Sequence, residues 1–184
     1  TLDTNVDTLL GTFSHYGALG VGQSYTQTQN VTLPNGISGS YYVLIYTDKN
    51  NQVFEYTWED NNIGSSSVVM EVTFTEPPDL VVTSTVAQTS VFSGQQIEIS
   101  WTVINNGNGD TVAAQWHDRI YLSADNQLNT QTDTNLGIFI HNGALASGGS
   151  YNQRQSITLP GNISGTYYIF VLTDADNQIY EHTN

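Results

Sequence analysis

The chain has 184 residues, with 3 Lys+Arg against 17 Asp+Glu, a formal charge of −14 and a pI near 4.1. That balance excludes partners that must be met with clustered cations, namely nucleic acid and anionic lipid surfaces. The absence of cysteine excludes disulfides, thiolate nucleophiles and Cys-ligated zinc, and the longest apolar runs, at 41–46 and 167–172, are too short for membrane insertion.

Residues 1–58 set the reading of everything after them, because they recur. A shift of 126 places them without a gap on 127–184, with 30 of 58 positions identical. Leu10, Gly11, Phe13 and His15 fall on Leu136, Gly137, Phe139 and His141, and Thr32-Leu33-Pro34 falls on Thr158-Leu159-Pro160. Identity at that level marks an internal repeat of about 126 residues. Val68, Met70, Val72 and Phe74 alternate as a closing strand. Glu76-Pro77-Pro78 then reads as a short stiff connector, since two prolines remove two backbone donors.

From Asp79 the text is a succession of short strands. Leu80 to Val86 opens, and Ser93-Gly94 turns the chain. Ile97, Ile99, Trp101 and Val103 alternate with polar residues, the period of a half-buried strand. Asn105 to Gly109 supplies a loop, and Trp116, Asp118, Ile120 and Leu122 mark the next strand. Strands are expected at Gly137–His141, Tyr151–Leu159 and Gly165–Thr173, followed by a hairpin at Asp176-Asn177 into Ile179–Glu181. No segment carries a helical period. The expected fold is all-β: immunoglobulin-like antiparallel β-sandwich repeats, with seven or eight strands per unit. Residues 1–75 would be the C-terminal part of one sandwich and 76–78 a linker, with 79–184 the next sandwich lacking its closing strand. With no disulfide, Trp101, Trp116 and the paired tyrosines 41–42 and 167–168 are expected to carry the core. One tyrosine of each pair should face inward, because neighbours on a strand alternate.

Pro78-Asp79-Leu80-Val81-Val82, Gly94-Gln95-Gln96-Ile97 and Ser100 to Gly107 resemble the opening of the CARDB module, the cell-adhesion-related domain found in bacteria. Asp118 to Ser123 with Asp125 is similar to its middle block. Gly165-Thr166-Tyr167-Tyr168 with Asp174, Asn177 and Glu181 resembles its closing hairpin, and Glu59 to Asn62 its acidic tail. The resemblance implies an immunoglobulin-like fold and an extracellular setting. It brings no ligand and no catalytic residues.

Two groups of oxygen-bearing side chains are candidate calcium ligands, since Ca²⁺ takes six to eight oxygens. Asp125, Asn129 and Asp133 recur at four-residue spacing, with Asp3 and Asp7 equivalent to the last two. Asp174, Asp176 and Glu181 form a weaker group, with Asp48 and Glu55 their equivalents. Turn geometry explains Asp and Asn at such places equally well. His15 and His141 lack a second histidine nearby and read as strand-end residues. His117 and Asp118 cannot act as a dyad, because adjacent strand residues point to opposite faces. Asn30-Val31-Thr32 and Asn162-Ile163-Ser164 are formal glycosylation sequons that strand and turn chemistry explains as well.

The expectation is therefore a non-enzymatic structural or adhesive repeat of a large secreted bacterial protein, part of a surface fibre or filament. Other copies of the repeat, or neighbouring subunits, are its expected partners. Strands matching 79–126 would complete residues 1–75. The alternative is an accessory module of an exported enzyme that contacts a surface polysaccharide.

Overall fold

The computed structural model describes residues 2–182. Two compact units divide the chain, 1–74 and 75–184. Every strand among the described residues pairs antiparallel, and there is no helix.

The second unit is a sandwich of two three-stranded sheets. One contains β5 (Leu80–Val86), β6 (Gln96–Asn105) and β9 (Ser150–Thr158), in the order β5-β6-β9. The other contains β7 (Gln115–Ser123), β8 (Thr134–Asn142) and β10 (Tyr168–Leu172), in the order β10-β7-β8. Alternation decides which side chains face inward. Ile97, Ile99, Trp101 and Val103 of β6 meet Trp116 and Ile120 of β7 across the gap. Leu80, Leu145, Ile157, Leu159 and Ile179 fill the margins of this core. Each such large apolar side chain contributes about 2–3 kcal/mol by leaving water.

Glu76 to Pro78 packs into this unit. Gly109 donates its amide to the Pro77 carbonyl (3.0 Å), and Asp79 donates to the buried Asn105 side chain (2.9 Å). A Cβ on Gly109 would collide with the Glu76 carbonyl oxygen, and one on Gly107 with the Pro77 carbonyl. The glycines of the Asn105–Gly109 loop thus give the proline segment its seat.

The first unit has four strands of three residues: β1 (Gly39–Tyr41), β2 (Leu44–Tyr46), β3 (Ile63–Ser65) and β4 (Met70–Val72). They pair as β1-β4 and β2-β3. The stretches equivalent to β8 and β9 form no ladder here.

Three expectations change. β10 begins at Tyr168 rather than Gly165, because residues 165–167 have no partner strand among the described residues. Ile179–Glu181 is not a strand. The Asp174 carboxylate instead takes the amides of Gln178 (2.7 Å) and Ile179 (2.9 Å), which fixes a turn and drops Ile179 into the core. The tyrosine pairs are not core residues: all four rings stand at or beyond a third exposed. Tyr41 ends β1 and Tyr168 begins β10, while Tyr42 and Tyr167 lie just outside the strands.

Candidate functional site

Asp118, on the inward face of β7, has no exposed surface. Its Oδ2 accepts from Trp101 Nε1 of β6 (2.7 Å), and both of its oxygens accept from Tyr151 Oη of β9 (2.8 and 2.9 Å). Tyr151 Oη in turn accepts from Trp116 Nε1 (3.2 Å) and meets Thr173 Oγ1 (3.2 Å). Burial, reinforced by the Asp118 charge, pushes the Tyr151 hydroxyl far above its ordinary range, so it remains a donor. The network ties the two sheets together in a core that has no disulfide. A buried carboxyl whose oxygens are all engaged by its own core is a structural clamp.

His141 closes this layer. Its ring stacks on Tyr151 (3.9 Å between centroids) and lies against Trp116 (4.1 Å). Its Nε2 lies 2.8 Å from the Gly143 carbonyl, which requires the proton on that nitrogen. Burial holds the imidazole below its usual range, against the upward pull of the Gly143 carbonyl and Asp118. His15 keeps the same partner, stacking on Tyr25 at 4.1 Å.

Asp125, Asn129 and Asp133 border one open depression of about 510 Å³ with Leu128 and Leu172. Asp133 Oδ2 accepts the Asn129 amide (2.7 Å), and Asn129 Oδ1 accepts the Gln131 amide (3.0 Å). Asp125 Oδ1 accepts the Gln127 amide (2.9 Å). The first unit reproduces the arrangement: Asp7 Oδ2 takes the Asp3 amide (2.7 Å) and Asp3 Oδ1 the Asn5 amide (3.0 Å). In each case one side-chain oxygen accepts an amide of its own turn.

The second acidic group does not converge on one point. Asp174 caps two amides, as above, and Asp48 does the same for Gln52 (2.7 Å) and Val53 (2.8 Å). Asp176 faces outward and pairs with His117 Nδ1 (2.7 Å) and Arg119 (2.5 Å). Glu181 accepts the Leu80 amide, fastening the chain after β10 to the start of β5. Burial, then the Asp174 and Asp79 charges, raise its carboxyl above the usual value, opposed by that amide. Glu55 instead accepts from Asn62 Nδ2 (2.8 Å). No group of three His, Cys, Asp or Glu side chains among the described residues is arranged to hold a metal ion. His117 and Asp118 do point apart, one to the outer ion pair and the other into the core.

The role of Asp118 was missed by the sequence reading, although it stands in phase with Trp116 and Ile120. A charged residue on the inward phase of a strand, with indole donors in neighbouring strands, was the available signal.

The family model for CARDB matches residues 77–184, from the proline segment through β10 and the Glu181 turn. The chain belongs to the CARDB family. No curated protein matches the chain. Within the CARDB module the Asn105–Gly109 loop seats the proline segment, the Asp118 clamp joins the sheets, and Glu181 anchors the first strand. The family ties the chain to a bacterial domain related to cell adhesion. No helix among the described residues is long and apolar enough to cross a membrane.

Proposed function

We propose that this protein is a non-enzymatic structural and adhesive module, a repeating segment of an extracellular bacterial fibre or filament. The observation that carries the reading is the CARDB match over a unit whose buried polar groups, Asp118, Asn105 and Asp174, are consumed by its own architecture. The internal recurrence of 58 residues supports a repeating arrangement. Density of negative charge supports a solvated outer surface that repels nucleic acid and anionic lipid.

Beads coated with the full chain test this, against beads coated with a globular protein of matched charge. Saturable retention on bacterial cells or on beads carrying the same chain is the expected result. Retention no greater than that of the charge-matched control contradicts the reading.

A further inference from the structure

Asparagine followed by glycine occurs four times, at Asn35-Gly36, Asn106-Gly107, Asn108-Gly109 and Asn142-Gly143. The pair is chemically labile, because the glycine nitrogen can attack the asparagine Cγ and glycine has no Cβ to obstruct the approach. The attack needs a nitrogen that is free to lose its proton. Three of the four steps lack one. Gly107 donates to Asn105 Oδ1 (3.1 Å), Gly109 to the Pro77 carbonyl (3.0 Å) and Gly143 to the Ala114 carbonyl (2.8 Å). Asn142 is held as well, its Oδ1 accepting from Gln115 Nε2 (2.8 Å). Gly107 and Gly109 are pressed so closely against the proline segment that a Cβ would collide there.

Asn35-Gly36 is the exception. Both residues are exposed, and neither takes part in a hydrogen bond among the described residues. The second repeat shows that this exposure belongs to the turn itself. Its equivalent, Gly161-Asn162, is exposed in the same way, although it follows β9 in a sheet of three long strands. The two copies build one turn with the residues in opposite order. Gly36 has φ 75° and Asn162 φ 61°, a left-handed position that glycine and asparagine both accept. In the second copy, however, Asn162 is followed by the β-branched Ile163, whose side chain hinders ring closure. The turn tolerates either order, and only the first is labile.

We propose that Asn35-Gly36 is a site of spontaneous deamidation, a covalent modification that marks the first repeat and spares the second. The Gly36 nitrogen forms a bond to Asn35 Cγ, the Cγ–Nδ2 bond breaks, and the Gly36 amide proton leaves with Nδ2 as ammonia. One solvent water then opens the resulting cyclic imide. Opening at Cγ gives aspartate. Opening at the main-chain carbonyl carbon of residue 35 gives isoaspartate, in which the chain runs through Cβ. Either product releases one proton and adds one negative charge to a chain that already carries a formal −14. Isoaspartate also lengthens the backbone of the turn that leads into β1.

The test incubates the full chain in mildly alkaline buffer, where an amide nitrogen loses its proton more readily, and follows each asparagine by proteolysis and mass spectrometry. Fragmentation that separates aspartate from isoaspartate identifies the products. Asn35 should convert at least about tenfold faster than Asn106, Asn108 or Asn142, since a paired amide must first open. In urea that gap should close, because the other three steps lose their hydrogen bonds. Substituting Asn35→Gly together with Gly36→Asn installs the order of the second copy, and should leave that turn as unreactive as Asn162. Conversion of Asn35 no faster than that of the other three in the folded chain would overturn the proposal. Aspartate as the sole product would overturn the ring-closing route, and a gap that survives urea would overturn its structural cause. None of these outcomes touches bead adhesion, so this proposal and the adhesive reading can fail separately.

Discussion

The same text appears twice in this molecule and takes different forms. Residues 134–142 and 150–158 are nine-residue strands, whereas the equivalent 8–16 and 24–32 form no ladder. Leu145 is 8% exposed and Leu19 52%; Ile157 is 4% exposed and Val31 43%. The turns do not differ in this way. Asp48 and Asp174 share φ 43°, Asn51 and Asn177 have φ 52° and 51°, and the same amide caps recur. Turn chemistry is local and needs only its own four or five residues. A strand is stable only beside another strand and over a core, and residues 79–126, which supply β6 and β7, have no repeated counterpart in the chain.

The largest break of this contrast should come from the clamp that only the second unit has. Asp118→Ala leaves the Trp101 donor buried without an acceptor and Tyr151 with Thr173 as its remaining one, and should lower the stability of that unit by about 3 kcal/mol. Asp118→Asn, which keeps an acceptor oxygen, should cost roughly half as much. Urea unfolding followed by circular dichroism measures both, and equal costs would show that the acceptor oxygen kept by asparagine contributes nothing.

A sharper comparison uses one substitution at two equivalent positions. Leu145→Ala should cost about 2–4 kcal/mol, because a core side chain is replaced by a cavity. Leu19→Ala should change stability by less than about 0.5 kcal/mol. Similar costs at the two sites would mean that residues 1–58 have a packed core after all.

Smaller effects should appear with pH. Glu181 has a folded pKa raised above its unfolded value, so the folded state binds more protons between the two. Its contribution is present below the ordinary carboxyl value and is lost as pH rises through the raised one. His141 has a folded pKa below 6.5, so its contribution is lost as pH falls from 6.5 through the lowered value. Glu181→Gln should therefore flatten the gain on acidification, and His141→Gln should flatten the loss. Melting temperatures across pH 4–8 separate them, and parallel curves for wild type and both variants would contradict these assignments.

Much of the second unit was legible from alternation. Ile97 to Val103 faces inward as its period requires, and β5, β7, β8 and β9 lie where their apolar residues place them. What failed did so for lack of non-local information. Gly165–Tyr167 has strand composition but no neighbour, and Ile179 is apolar yet is held by an Asp174 turn rather than a ladder. The candidate calcium residues were found as oxygen-rich turns. Which amides those oxygens accept could not be read from their spacing. Asp118 stands in phase with Trp116 and Ile120, but its partners come from β6 and β9, and no local pattern reports them.

Amide hydrogen exchange on the intact chain tests the central claim most directly, because both copies of the repeated text are read in one sample. Strong protection is predicted across β8 and β9, fast exchange across residues 8–16 and 24–32, and similar behaviour at the capped amides of Gln52 and Gln178. Matching protection of residues 8–16 and 134–142 would contradict the account, because the repeated text would then form its strands without β6 and β7 beside it.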